Sequence, residues 1–304
     1  MAQLGCRVRT QPDDPVEVPY IMRALDPEVF DAVWTAVEPL VPEPATSHPL
    51  GCHRRRISNR ICLWAMLVRL VTGCSWVDAE RLVDGAVSDT TLRARRDEWE
   101  RAGVFGAVVE EALCAYDKII GLDLSEVAID ASQHKAPRGG EGTGPNHVDR
   151  GKCGWKWSLM TDRSGIPLGW ATNGAHRHDV ILFEPTLADV ARRGLVADIE
   201  TLHLDRGYDS ARVRDVCADY GIGDLVAPRQ RQKGKVAGRR RAKVVVPLGL
   251  RWPVERTNAW LANFGQLRRN TDRTIAQRLG ELALAIIVLI TAKLIDWRNR
   301  WCRP

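Results

Sequence analysis

The sequence predicts a mixed α/β protein in which an all-helical region precedes a mixed-sheet domain. Three observations carry this prediction. From about Ile57 to Ile120 the apolar residues recur at helical spacing, with Ile61, Trp64, Ala65, Val68 and Val71 on one stripe. After Gly121 the pattern changes to short strand segments, and two of them, the apolar run at 127–129 and the strand read at 199–204, lead directly into an aspartate. Between those runs, residues 155–161 alternate, 162–165 (DRSG) read as a turn and 166–172 resume, which is the pattern of a β-hairpin.

Taken in order, residues 1–50 form an acidic lead-in that holds eight of the chain's 16 prolines, with room for one helix near 26–37. Residues 51–120 follow as the helical region. Gly73 and Cys74 break its first long helix, Ser75 caps the next with Trp76 entering it, and Ser88 caps a third that carries Arg93, Arg95 and Arg96. A fourth helix follows Gly103. Residues 121–304 form the mixed-sheet domain. It opens with a strand at 127–129 ending at Asp130 and a Gly-rich loop over 137–154, and continues through the hairpin to a helix over 180–193. A strand ending at Asp205 comes next, then a helix over 210–220 stopped by Gly221 and a short strand at 224–227. A basic loop runs to Lys243, and long helices fill 251–264 and 274–300.

The net charge is +6, distributed unevenly. Residues 1–50 carry eight acids and three bases, which leaves +11 on the remainder, a balance suited to a polyanionic partner or to a well-solvated surface. The eight cysteines are scattered with no C-x-x-C, as expected of reduced thiols in the cytoplasm rather than of a zinc site or a disulfide frame. No secretory signal is read at the start. The longest apolar run, 282–290, is too short to span a bilayer and reads as a buried helix, so no membrane partner is expected.

In an α/β sheet, residues at the carboxyl ends of neighbouring strands face one crevice. Asp130 and Asp205 are expected there, with Glu255 near the start of a helix beside them. Each acid alone reads equally as a turn or surface residue. Three carboxylates together repel one another, and hard divalent cations with oxygen ligands resolve the conflict. Two Mg²⁺ ions, with Mn²⁺ able to substitute, would suit in-line displacement at a phosphodiester.

The stretches VAIDAS (127–132), LHLDRGYDS (202–210) and RWPVERTNAWL (251–261) resemble the three acidic blocks of bacterial insertion-sequence DDE transposases, in the group named after insertion sequence five. The segment 142–166, the run 176–179 (HRHD) and the helical region with GCSW and EWERAGVF are similar to the same proteins. The likeness covers roughly residues 50–300. It implies a ribonuclease-H-like catalytic domain, the catalytic and metal-binding acids Asp130, Asp205 and Glu255, double-stranded DNA as substrate, a dimer or larger assembly on DNA, and a place at the nucleoid. The wider superfamily spaces a Tyr, an Arg and a Lys around the Glu. The likeness implies that these three contact phosphate or DNA near the cut; Arg251 matches the Arg, whereas Leu248 and Ala262 stand at the other two positions. Arg256, Arg268 and Arg269 are the candidate substitutes.

Further DNA contacts are expected from Lys152 and Lys156 and from the run 229–243, which includes Arg239, Arg240 and Arg241 and holds eight bases and no acid. That run reads either as a phosphate-binding segment or as a solvated loop. The helices over 75–99 read either as a helix-turn-helix with Thr90, Thr91, Arg93, Arg95 and Arg96 at the groove, or as a bundle with an Arg-rich face. Trp252 and Trp260 read as core or as base-stacking wedges, and His178 and Asp179 as structural or DNA-facing. The rival functions are a nuclease or resolvase without strand transfer and a non-catalytic DNA-binding regulator.

Overall fold

The computed structural model describes residues 23–43, 56–226 and 250–301. The run 229–243, with Arg239, Arg240 and Arg241, and Leu248 lie outside them.

Local signals set the helices. Helix α1 (Pro27–Val37) starts with Pro27 at its first position and Asp26 accepting a hydrogen bond from the Glu28 N–H. Helix α2 (Asn59–Thr72) ends at Gly73, whose φ of 73° is left-handed and costs glycine nothing. Ser75 caps α3 (Trp76–Leu82) and Ser88 caps α4 (Asp89–Arg101), each accepting from the N–H three residues on. Helix α5 (Val104–Ile119) completes the group.

The sheet follows. β1 (Glu126–Lys135) pairs antiparallel with β3 (Lys152–Thr161). The far edge of β3 takes β2 (Gly144–Asn146) against its start and β4 (Pro167–Gly174) against the rest. On its other side β1 runs parallel to β5 (Thr201–His203), which runs parallel to β6 (Asp224–Val226). Helix α6 (Val180–Arg192) makes the crossover to β5, and α7 (Ala211–Asp219) the crossover to β6. Helices α8 (Trp252–Ala262), α9 (Gly265–Arg268) and α10 (Ile275–Trp301) end the chain. This is the mixed α/β class, helices followed by a mixed sheet, that the sequence led us to expect.

Alternation along the strands builds two cores. Val127, Ile129 and Met160 face α6 and α7 with Phe183, Leu187, Leu202 and Val213. Ala128, Trp155, Trp157 and Leu159 face the other way, into a core shared with α1–α5, α8 and α10. The apolar run of α10, Leu282 to Ile290, is buried throughout. Each fully buried Leu or Ile there contributes about 1.5–3 kcal/mol. Thus the last helix packs among the first ones, and the helical region and the sheet share packing. Among the described residues no single helix is long and apolar enough to cross a membrane, and Cys62, Cys74, Cys114, Cys153 and Cys217 are free thiols.

One seam is unusually tight. A Cβ on Gly265 would lie 2.4 Å from the Gly73 nitrogen, so α2 and α9 meet backbone to backbone. Gln266 Nε2 donates to the Cys74 carbonyl across the same contact at 3.2 Å.

β1 departs from the expectation that it ends at Asp130. It continues for five residues, because Ser132 and His134 lie against the tryptophans of β3. The His134 ring stacks on Trp157 at 3.8 Å and its Nε2 meets Ser132 Oγ at 2.8 Å, so a polar-looking segment pairs as strand. Burial holds the His134 imidazole neutral, with its pKa pushed down to about 3.

Candidate active site

The β1–β5 register pairs Glu126 with Thr201 and Ala128 with His203. Continued by two residues, it sets Asp130 level with Asp205, just past the end of β5. Helix α8 packs on β1 and β3 and carries Glu255 in its first turn. Arg251, immediately before α8, reaches all three acids. Its Nη2 lies 2.9 Å from Glu255 Oε1 and 3.9 Å from Asp130 Oδ1, and its Nη1 lies 3.3 Å from Asp205 Oδ1.

The surroundings hold the acids unequally. Asp130 is the most enclosed, at 24% side-chain exposure against 48% for Asp205 and 52% for Glu255. Burial pushes the Asp130 carboxyl above its usual range, opposed by the backbone N–H of Ala131 and the charge of Arg251, while the Glu255 carboxylate adds to the rise. Asn258 Nδ2 donates to Asp130 Oδ2 at 3.4 Å, and Asn258 Oδ1 accepts from Trp157 Nε1 at 2.8 Å. Asn258 therefore orients Asp130 from the core side. The sequence reading missed it; the available signal was its place three residues after Glu255, on the same helix face.

Chemically the donors suit a hard divalent cation: three carboxylates, all hard oxygens, arranged around one positive group. The spacing is that of a guanidinium complex, and among the described residues no three His, Cys, Asp or Glu side chains stand at metal-holding distance.

The proposed DNA contacts divide into two groups. Arg93, Lys152, Arg268 and Arg269 are exposed, and Arg256 is half-buried at the surface. Arg256 lies between Trp252 and Trp260, 4.3 and 4.6 Å from their ring centres, and donates to the Ser164 carbonyl. Trp252 is 53% exposed beside Glu255. Lys156, Arg95 and Arg96 are instead turned inward. Lys156 Nζ is held at 2.6 Å by Asp179 Oδ1 and by the Arg177 carbonyl, which assigns Asp179 a structural partner. Arg95 bonds Asn59 and pairs with Glu98, and Arg96 Nη1 pairs with Asp272 at 2.9 Å. Leu92, Arg95, Arg96 and Trp99 form the buried stripe of α4, so a recognition helix presenting Arg95 and Arg96 to a groove does not fit. Their positive charge is matched by partners inside the protein.

Comparison with known proteins agrees with this geometry. Residues 121–290 match the family described as "Transposase DDE domain", and residues 29–109 match "Putative transposase of IS4/5 family". The "Putative transposase for insertion sequence element IS402" of Burkholderia cepacia is 36% identical over 136 residues, covering 43% of this chain and 60% of that protein. The "Insertion element IS402 uncharacterized 16.2 kDa protein" of the same organism is 32% identical over 118 residues, covering 39% of this chain and 80% of that protein. The match thus spans about three-fifths of the first relative's length. A pre-cleavage Mos1 transpososome structure aligns at 8% identity over 84% of this chain and 82% of that one, with a TM-score of 0.30, too low to carry weight. The DDE-domain match covers more than half of the chain and contains Asp130, Asp205 and Glu255, so this protein belongs to the transposase DDE-domain family.

Proposed function

We propose that the chain is a DNA transposase that binds the terminal repeats of its element, cuts at the element end and joins the freed 3′-OH to target DNA. The observation that carries this reading is the single guanidinium of Arg251 within 3.9 Å of all three acids, which come from β1, the end of β5 and α8. Asp130, Asp205 and Glu255 would hold two Mg²⁺ ions, with Mn²⁺ able to replace them; the ions, when bound, supply charge stabilisation at the reacting phosphate. Asp130, oriented by Asn258, is the most enclosed of the three acids. Cutting and joining are both displacements at phosphorus, so one arrangement of acids serves both steps.

The other site residues follow from this reading. Lys152, Arg256, Arg268 and Arg269, together with Arg239, Arg240 and Arg241, supply phosphate contacts. The helical region contributes to DNA binding through its exposed face rather than through Arg95 or Arg96. Residues 1–50, 51–120 and 121–304 divide the labour, and the described residues of each contribute to one core. The working form is a dimer or larger assembly on double-stranded DNA, in the compartment that holds that DNA, at the nucleoid. A joining assay with pre-cut ends tests the reading: labelled repeat DNA ending in a 3′-OH, incubated with a target plasmid and Mg²⁺, should yield covalently joined product. Cutting of uncut ends without any joining would identify a nuclease instead.

A further inference from the structure

A second basic feature lies away from the acids. A cleft of about 520 Å³ opens between the α2–α3 corner (Gly73 to Trp76) with α4 on one side and the ends of β1 and α9 on the other. Five arginines line it, Arg93, Arg96, Arg138, Arg269 and Arg273, against two aspartates, Asp97 and Asp272. Arg96 and Asp272 neutralise each other. Arg138, Arg269 and Arg273 are exposed, and among the described residues none of the three has an ion-pair partner.

The walls are fixed. Asn270 N–H donates to the Lys135 carbonyl and Glu141 N–H to the Arg273 carbonyl, so the segment carrying Arg138 is laced to the turn carrying Arg269 and Arg273. Buried Arg278 closes the same seam, donating to the carbonyls of Gly139 and Asp272 at 2.8 and 2.6 Å. Across the cleft, Trp76 is held by the guanidinium of Arg69, 4.1 Å from its ring centre, and Arg69 is itself fixed by Asp272 and Glu281. Three unpaired guanidinium groups thus stand on a braced backbone, with their charge free to meet a phosphate backbone.

We propose that this cleft grips the sugar-phosphate backbone of the same DNA whose cut phosphate lies at Asp130. Position supports the assignment. Five strand residues separate Asp130 from Lys135, roughly 16 Å at about 3.3 Å per residue. For a duplex lying along β1, at 3.4 Å per base pair, that sets the β1 end of the cleft about five base pairs from the cut. The inference rests on the transposase reading for DNA as the polyanion and for the cut at Asp130 from which the methylphosphonate is placed; the salt-slope arm needs only the first.

The test is the salt dependence of binding by the full chain to two duplexes, one with the terminal repeats and one of random sequence. The triple variant Arg138→Gln, Arg269→Gln, Arg273→Gln should flatten the slope of log K against log salt by about 0.9 for each phosphate it no longer neutralises, equally on both duplexes. Arg212→Gln, an exposed change on α7 away from the cleft, should leave the slope alone. A methylphosphonate about five base pairs from the cut should weaken binding by the parent protein and leave the variant's binding unchanged. An unchanged slope in the triple variant overturns the proposal, as does a weakening confined to repeat DNA or equal weakening of both proteins by the methylphosphonate. A melting curve that matches the parent's shows that the variant is folded. Mg²⁺-dependent nicking, measured separately, reads the transposase assignment, so either idea can fail without the other.

Discussion

Arg251 occupies the place where the proposed ligands converge, and this makes it a competitor of any cation bound there. The perturbation is Arg251→Ala. Its guanidinium makes one close contact, 2.9 Å to Glu255, and two longer ones, 3.3 Å to Asp205 and 3.9 Å to Asp130. Asp205 and Glu255 are about half exposed, so each pair is screened and contributes about 0.2–1 kcal/mol rather than the several that a dry interior would give. Together they hold the guanidinium in place by roughly 1–2 kcal/mol, which an incoming divalent ion must overcome. Removing Arg251 should therefore tighten Mn²⁺ binding by the DNA-free protein about tenfold, since 1.4 kcal/mol is a factor of ten. The metal-free variant should also be slightly less stable than the parent, because three carboxylates then face one another, and it should gain more from added Mn²⁺. Titration followed by the electron paramagnetic resonance of free Mn²⁺, with melting curves at matched ionic strength, reads both effects. Equal or weaker Mn²⁺ affinity in the variant would refute the reasoning, since it would mean that Arg251 does not stand in the way of the metal.

Two further predictions concern the scaffold. His134 is buried and neutral, with its pKa lowered from 6.5 to about 3, so unfolding takes up a proton below pH 6.5; its contribution is fully present above that pH and is lost as the pH falls toward 3. Denaturant titrations of His134→Phe, which keeps a ring on Trp157, should lose stability less steeply over that window, by up to about 1.4 kcal/mol per pH unit, and parallel curves for the two proteins would contradict the assignment. Gly265→Ala places a Cβ 2.4 Å from the Gly73 nitrogen, a clash between two backbones, and should destabilise the fold by about 1–3 kcal/mol in equilibrium unfolding; a neutral effect would show that the α2–α9 seam can open freely.

The legible parts of this protein were those governed by neighbours in sequence. Ser75 and Ser88 cap where they were expected to, because a cap needs only the next three residues. Asp205 just beyond a parallel strand and Glu255 in the first turn of a helix were readable from pattern and resemblance together. The parts that escaped depend on distant partners. Arg96 reads as a surface residue until Asp272, 176 residues away, supplies its counter-charge. The second half of β1 looks polar until Trp157 covers His134. Asn258 has no special signal of its own; only the crossing of α8 over β1 turns its amide toward Asp130. Arg251 was readable as a phosphate contact only through the family resemblance, and its simultaneous reach to Asp130 and Asp205 exists only in the folded chain.

The central claim is that Asp130, Asp205 and Glu255 together hold the ions that cut DNA. Its most direct test is the nicking of a duplex carrying the element's terminal repeats, with the parent protein and Glu255→Gln compared in Mg²⁺, Ca²⁺ and EDTA. Glu255 is half exposed on α8, so the glutamine variant keeps its shape and loses only the charge. The parent should nick in Mg²⁺, bind without turnover in Ca²⁺, whose longer and more numerous ligand bonds misplace the reactants, and do nothing in EDTA. Glu255→Gln should bind the duplex and fail to nick in all three. Nicking by the parent in EDTA, or by Glu255→Gln in Mg²⁺ at the parent's rate, would show that the chemistry does not run through these acids.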